Sequence, residues 1–167
     1  TAIARVATSP PLVLAVEFNS DPVRPNENGV AQLTVSNRGG LPLTGVVLQA
    51  RVPVSLDGIN SGYLTAGGSC IVVFNNSLCD SAELLNWDLG TIPAGGGITL
   101  SVPIFVASGS AAGRLLALEA VANDDGSNRA VSGSTVAMDT DNPLSLSVDD
   151  DKNPVAPNNI LVYTLAY

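Results

Sequence analysis

The chain has 167 residues, with 7 Lys+Arg against 15 Asp+Glu and a formal net charge of −8. It has no histidine and one lysine, Lys152, which excludes imidazole catalysis, imidazole metal sites and most lysine chemistry. The acidic balance disfavours nucleic acid, whose phosphates the chain would repel, and no stretch reaches the roughly 20 apolar residues that span a bilayer. We therefore expect no enzyme, no nucleic-acid partner and no membrane insertion, whereas an apolar content of 46% predicts a folded core.

Apolar residues alternate with polar ones in a series of short segments, the pattern of half-buried β-strands. Strands are predicted at 11–18, 30–36, 43–52, 69–74, 84–89, 97–106, 114–122 and 130–138, with Gly-, Pro-, Asn- and Asp-rich turns between them. The segment 114–122 also suits a helix, but its Gly113 and Asn123 borders favour a strand. Pro103 inside a strand predicts an edge strand or a bulge. Seven or eight short strands without a helix predict an all-β fold, an antiparallel β-sandwich.

An internal repeat relates the two ends of the chain. Residues 11–35 align without gaps with residues 143–167 at an offset of 132, and the alternation stays in phase. Identical pairs include Pro11/Pro143, Leu12/Leu144, Leu14/Leu146, Val16/Val148, Pro22/Pro154, Val23/Val155, Pro25/Pro157, Asn26/Asn158 and Leu33/Leu165. The same offset pairs 2–8 more weakly with 134–140. We therefore predict extra terminal strand segments: the last strand of a preceding repeat at 1–10, a complete sandwich at 11–142, and the first two strands of a further repeat at 143–167.

Four segments of the central unit form a recognisable pattern. They are LTVSNRG at 33–39, LTGVVL at 43–48, the Val52-Pro53 pair, and WDLGTIPAG at 87–95 before the alternating strand 98–102. This pattern resembles a bacterial family of extracellular conserved repeats of unknown function, found in surface and adhesin proteins. The resemblance covers about residues 11–138. It implies an immunoglobulin-like sandwich in a long extracellular protein and brings no catalytic residues with it.

Cys70 and Cys79 are the only cysteines, and eight residues lie between them. A disulfide that closes this small loop in an oxidising compartment is the favoured interpretation, with two buried free thiols as the alternative. Trp87, the single tryptophan, is predicted to anchor the core between the sheets; a platform for a sugar is the less favoured interpretation. The disulfide and the family resemblance together predict an extracellular or cell-surface location.

Two short motifs match known signals. Residues 41–45 read LPLTG, as in a cell-wall sorting signal, but their place before a core strand favours a turn. Asn75-Asn76-Ser77 is an N-glycosylation sequon in the cysteine loop. A polar loop tip is the favoured interpretation there, and glycosylation of Asn75 is the alternative.

The acidic turns raise the question of calcium. Asp124-Asp125, Asp139-Thr140-Asp141 and Asp149–Asp151 supply oxygen ligands that Ca²⁺ prefers. In the repeat alignment, however, Asp139 and Asp141 correspond to Ala7 and Ser9, so the ligands are not repeated. Solvated acidic turns are therefore the favoured interpretation, and we predict no metal and no cofactor, with calcium as the alternative.

The segment 143–167 carries too many apolar residues for two isolated strands, which are marginal in water. We therefore predict a structural subunit of an extracellular filament or surface array, a homopolymer assembled head to tail by donation of terminal strands. The predicted subunit contacts are Ala2, Ile3, Val6, Leu144, Leu146, Val148, Ile160, Val162, Tyr163, Leu165 and Tyr167. Two alternatives stay open: an excerpt of a long tandem-repeat adhesin or stalk that acts as a spacer, and a ligand-binding module appended to a secreted enzyme, with loops near 54–69 or 75–83.

Overall fold

The computed structural model describes residues 10–54, 56, 58–71, 78–106 and 113–139, together with the backbone of two strands at 147–150 and 163–166. Within these ranges the strands are β1 Leu12–Phe18, β2 Asn28–Asn37, β3 Leu43–Arg51, β4 Ile59–Asn60, β5 Ser69–Ile71, β6 Leu78–Cys79, β7 Leu84–Ile92, β8 Gly97–Phe105, β9 Leu115–Asn123, β10 Arg129–Ala137, β11 Ser147–Asp150 and β12 Tyr163–Ala166. Single-turn 3₁₀ helices cover Ser61–Tyr63 and Thr65–Gly67. No helix in these ranges is long and apolar enough to cross a membrane.

Eight of the strands form two packed antiparallel sheets. The first sheet has the order β1-β2-β8, and the second has the order β10-β9-β3-β7-β5. This confirms the predicted all-β sandwich of seven or eight strands. The segment 114–122 is strand β9 rather than a helix, and Pro103 lies in an edge strand, β8, as its missing N–H requires. Two smaller pairs, β4 with β6 and β11 with β12, complete the described strands.

The core lies between the two sheets and follows directly from the alternation. Every second residue of each long strand faces inward, so its apolar side chain leaves water while its neighbour stays exposed. The inward residues of the first sheet include Leu12, Leu14, Val16, Ala31, Leu33, Val35, Leu100, Val102 and Ile104. Those of the second sheet include Leu48, Ala50, Leu85, Trp87, Leu116, Leu118, Ala120 and Val136. Each fully buried aliphatic side chain contributes about 1.5–3 kcal/mol.

Asn37 is a buried polar residue at the end of β2, only 1% exposed. Its side-chain amide donates to the Leu41 carbonyl (2.8 Å) and the Ile92 carbonyl (3.0 Å), and its side-chain oxygen accepts from the Gly39 N–H (2.9 Å). These three bonds hold the β2–β3 turn to the end of β7. They give a physical role to the Asn-x-Gly sequence of the turn.

Replacing Asn37 with alanine should lower the free energy of unfolding by about 2 kcal/mol, because the buried bond to the Ile92 carbonyl and the partly buried bonds to Leu41 and Gly39 are lost. Chemical denaturation measures the change. Asn28→Ala is the matched control, since Asn28 is exposed and its side chain makes no hydrogen bond within the described part of the chain. Equal effects of the two substitutions would contradict the role given to Asn37.

Candidate functional site

The tail strands β11 and β12 repeat the pairing of β1 and β2. Val148 faces Leu165, and Ser147 faces Ala166, in an antiparallel pair. Subtracting the sequence offset of 132 gives Val16 facing Leu33 and Ala15 facing Thr34, and those are the partners found in the main sandwich. The alignment of the two sequence segments and the register of the two strand pairs therefore agree residue for residue.

The two strand pairs differ in what lies beside them. In the main sandwich β2 lies between β1 and β8 and pairs with β8 from Asn28 to Ser36. In the sheets that the structure describes, β12 pairs with β11 and with no other strand. The free edge of β12, at Tyr163–Ala166, corresponds to the edge of β2 that holds β8. This edge is where a further strand would complete the tail.

The predicted subunit contacts fall mainly outside the described residues. Val148, Tyr163 and Leu165 lie in the tail strands, where the backbone alone is described. The remaining predicted contacts lie outside: Ala2, Ile3, Val6, Leu144, Leu146, Ile160, Val162 and Tyr167. Their role, and the division of the chain at 10 and 142, stay predictions.

Val23 closes the main sandwich at the loop between β1 and β2. Its N–H donates to the Ala137 carbonyl (3.0 Å), and its carbonyl accepts from the Asp139 N–H (2.9 Å), forming a parallel bridge beside Met138. The side chain of Val23 is buried. The end of β10 thus holds the β1–β2 loop in place. Val155 is the residue of the tail that aligns with Val23, and the two residues are identical. The tail therefore contains the residue that makes this bridge in the main sandwich.

A long connection that contains the disulfide joins β3 to β7. We name this connection, residues 53–83, the arm. Cys70 and Cys79 form the disulfide predicted from the sequence, with a Cα–Cα separation of 5.5 Å. Cys79 is fully buried, and it pairs with Ile59 where β6 meets β4. Disulfides are typical of secreted and surface proteins. Asn75, the glycosylation candidate, belongs to the arm but lies outside the described residues.

Thr65 fastens the arm to both sheets. Its carbonyl accepts from the Trp87 indole N–H (2.9 Å) in the second sheet, and its hydroxyl oxygen accepts from the Ser101 N–H (2.9 Å) on the edge of β8. Trp87 is fully buried, so its ring anchors the core and is out of reach of a sugar. The hydrogen bonds of Thr65 to the two sheets could not be predicted from the sequence, because a threonine among turn residues has many alternative partners.

Of the acidic residues in the predicted turns, Asp124 is bound within its own turn. The Asp124 carboxylate accepts from the Asn128 N–H and from its side-chain amide, both at 2.7 Å. In Asp139 one carboxylate oxygen, Oδ2, is buried without a hydrogen-bond partner. No group of three metal-ligating side chains occurs among the described residues, and the side chains of Asp141 and Asp149–Asp151 lie outside them. Calcium binding therefore gains no support from the described turns.

The LPLTG sequence forms the turn into β3, as predicted. Leu43 begins the strand with a buried side chain, and the Thr44 carbonyl accepts from the Asp125 N–H (3.0 Å). Gly45 has φ of +58°, and a side chain there would collide with the Asp125 carboxylate. The motif is thus fixed in the body of the sandwich, whereas a sorting signal has to be accessible as an extended peptide.

Solved structures resemble the sandwich at low sequence identity. A cohesin module of a Clostridium perfringens family 33 glycoside hydrolase is 12% identical, with a TM-score of 0.51, and the match covers 78% of this chain and 98% of that module. The bacterial hydrophobin BslA is 14% identical, with a TM-score of 0.48 and coverage of 77% and 95%. A CARDB domain from Pyrococcus furiosus is 14% identical, with a TM-score of 0.46 and coverage of 83% and 99%.

No protein-family model matches the chain, and no curated protein matches it. The resemblance to the extracellular conserved-repeat family therefore stays a prediction. The likeness to the cohesin module concerns the fold alone. Together with the two packed antiparallel sheets, it shows that the described residues between 12 and 137 form an immunoglobulin-like β-sandwich.

Proposed function

We propose that the chain is a structural unit of an extracellular filament or surface array, whose units join head to tail through terminal β-strands. The observation that carries the proposal is the tail register: β11 and β12 pair as β1 and β2 do, but among the described strands none pairs with β12 as β8 pairs with β2. An isolated two-stranded pair is marginal in water. The tail therefore requires cover from another unit.

The main sandwich supports this by showing what the tail positions require. Val148 and Leu165 face each other at the register positions of Val16 and Leu33, and both of those residues are buried in the core. A unit that completed the tail would remove comparable apolar side chains from water, at about 25 cal/mol per Å² of apolar surface. Pairing along β12 would also satisfy the backbone groups of its free edge.

The third strand has to come from outside the first sheet of the same unit. One edge of β8 is taken by β2. On its other edge the Ser101 N–H is bound to Thr65, and Pro103 has no N–H to donate. In the proposed assembly a second copy supplies the strand that corresponds to β8. The segment 1–10, which aligns with the end of β10, is a separate predicted contact between copies. A head-to-tail contact of this kind does not close on itself and so extends into a fibre.

A second candidate function is a spacer in a long tandem-repeat adhesin or stalk. The agreement of sequence alignment and strand register favours it, because a further unit of the same polypeptide would begin with such a strand pair. In that case the third strand follows later in the same chain. Both candidates give the sandwich a structural role in an oxidising, extracellular setting, for which the disulfide is suited.

The tail can be tested with two single substitutions in β12. Leu165→Asp places a carboxylate at the position equivalent to buried Leu33, and Thr164→Asp places one at the position equivalent to exposed Gln32. In the filament account Leu165→Asp should lower the association constant at least about tenfold, because burying an unpaired charge costs several kcal/mol. Thr164→Asp should associate like the unsubstituted chain. Light scattering across a concentration series measures both.

The outcomes separate the two candidates. Concentration-dependent assembly that Leu165→Asp abolishes supports the filament, and assembly that survives both substitutions contradicts it. If the chain stays monomeric at every concentration, the filament is refuted. The spacer is then tested by adding a second copy of residues 36–142 after Tyr167, which supplies the sequence that follows 11–35. Protection of the tail amides in that longer monomer supports the spacer, and fast exchange contradicts it.

A further inference from the structure

An open groove lies where the arm meets the end of β8. It has a volume of about 290 Å³, at the lower end of small-molecule pockets. Tyr63 lines it from the arm and Phe105 lines it from β8. These two rings are 72% and 52% exposed, although the chain has only three tyrosines and three phenylalanines. Exposed aromatic rings that share one concave surface indicate a binding site rather than core packing.

Two side-chain amides accompany the rings. Asn28 faces Phe105 directly across the β2–β8 pair, so the two side chains are neighbours on the outer surface of the first sheet. Asn60 also lines the groove; its side-chain oxygen accepts from the Gly62 N–H (2.9 Å), which leaves its NH₂ group to donate to a ligand. Aromatic faces beside neutral amides match a ligand that has both C–H surface and hydroxyl groups.

Among the described residues that line the groove, no side chain is acidic or basic. These side chains offer no charge to neutralise a phosphate, a carboxylate or an ammonium group, and the net charge of −8 adds repulsion against anions. An extended peptide would need a free strand edge, but the outer edge of β8 is occupied at Ser101 and lacks an N–H at Pro103. The class of ligand that fits these side chains is therefore a neutral molecule that stacks on aromatic rings and forms hydrogen bonds with amide groups.

We propose that this groove, formed by Asn28, Asn60, Tyr63 and Phe105, binds a neutral sugar ring of a glycan. Tyr63 and Phe105 stack against the C–H faces of the ring, and the two asparagine amides bind its hydroxyl groups. The inference is independent of how the units assemble. It provides the sandwich with an adhesive surface in either structural arrangement.

The backbone beside Tyr63 is hydrogen-bonded to the sandwich, which limits the backbone entropy lost on binding. Tyr63 ends a 3₁₀ turn in which the Leu64 N–H donates to the Ser61 carbonyl (3.2 Å). The following residue, Leu64, is buried, and Thr65 is bound to both sheets. On the other side, Phe105 belongs to a strand with regular pairing. Both rings are therefore carried by backbone that is hydrogen-bonded within the sandwich.

NMR titration of the full chain with neutral sugars tests the proposal. The probes are glucose, galactose, mannose and N-acetylglucosamine, each also as a short β-linked oligosaccharide, with glucuronic acid as the charged control. At least one neutral probe should shift the backbone amides of Asn28, Asn60, Tyr63 and Phe105. Tyr63→Ala should then weaken binding about tenfold, and Tyr63→Phe, which keeps the ring, should bind nearly as well as the unsubstituted chain.

Leu41→Ala is the matched control, because Leu41 is an exposed apolar residue that lines a different groove, beside Pro11. It should leave the titration unchanged. Shifts that the Tyr63→Ala chain loses and the Leu41→Ala chain keeps support the proposal. The absence of shifts with every neutral probe, shifts that survive Tyr63→Ala, or binding of glucuronic acid alone would each overturn it. A thermal melt of both variants shows that the loss is not a loss of folding.

Discussion

Trp87→Ala should lower the free energy of unfolding by about 3–5 kcal/mol, the range found when a large buried aromatic residue is truncated. The ring is fully buried between the sheets, and its N–H is bound to the Thr65 carbonyl. The substitution therefore leaves a cavity and also releases the arm from the second sheet. The free energy of unfolding of a domain is usually about 5–15 kcal/mol, so the substitution would remove a large fraction of it. Urea denaturation followed by circular dichroism measures it.

Two further substitutions divide this effect into its parts. Trp87→Phe keeps most of the apolar volume but loses the hydrogen bond to Thr65, so it should cost less than Trp87→Ala. Gly68→Ala adds a methyl group directly against the Trp87 indole and should destabilise by overpacking. A loss below about 1 kcal/mol for Trp87→Ala would contradict the role of this ring as the anchor of the core.

Replacing both Cys70 and Cys79 with alanine should lower the free energy of unfolding by about 2–3 kcal/mol, as the loop-closure entropy of a short loop predicts. Their sequence separation is 9 residues. Alanine is chosen because Cys79 is fully buried and a serine hydroxyl there would need a partner. Thermal or urea unfolding measures the loss.

A reducing agent provides the matched control for the disulfide. It should destabilise the unsubstituted chain by a similar amount and leave the double alanine variant unchanged. Because the arm carries Tyr63, the double variant should also weaken sugar binding at the groove. Unchanged stability of the double variant would show that the disulfide does not hold the arm in place.

Much of the fold could be predicted from alternation alone, because most of the long strands bury every second residue and those buried residues are mainly apolar. The end of strand β7 could not be predicted in this way. The alternation predicts a strand over 84–89, whereas in the structure the strand continues to Ile92. Gly90 has φ of +62° and pairs with Val46 where the register with β3 shifts, so the glycine forms a bulge within the strand.

The short pairs and the groove could not be predicted because they depend on contacts distant in sequence. Strands β4 and β6 have two residues each, too few to show a period. Tyr63 and Phe105 line one groove, and Thr65 binds the arm to the edge of β8 near it. The repeat, in contrast, could be found from the sequence, because identical residues at a constant offset preserve both the apolar pattern and the pairing register.

Amide hydrogen exchange of β11 and β12, compared between dilute monomer and concentrated protein, tests the central claim most directly. If the tail of one unit is completed by another, the amides of 147–150 and 163–166 exchange fast in a verified monomer and are strongly protected in the assembled state. The amides of β2 are protected in both states. Slow exchange of the tail amides in the monomer would show that the tail is already covered by its own chain, and would contradict the account.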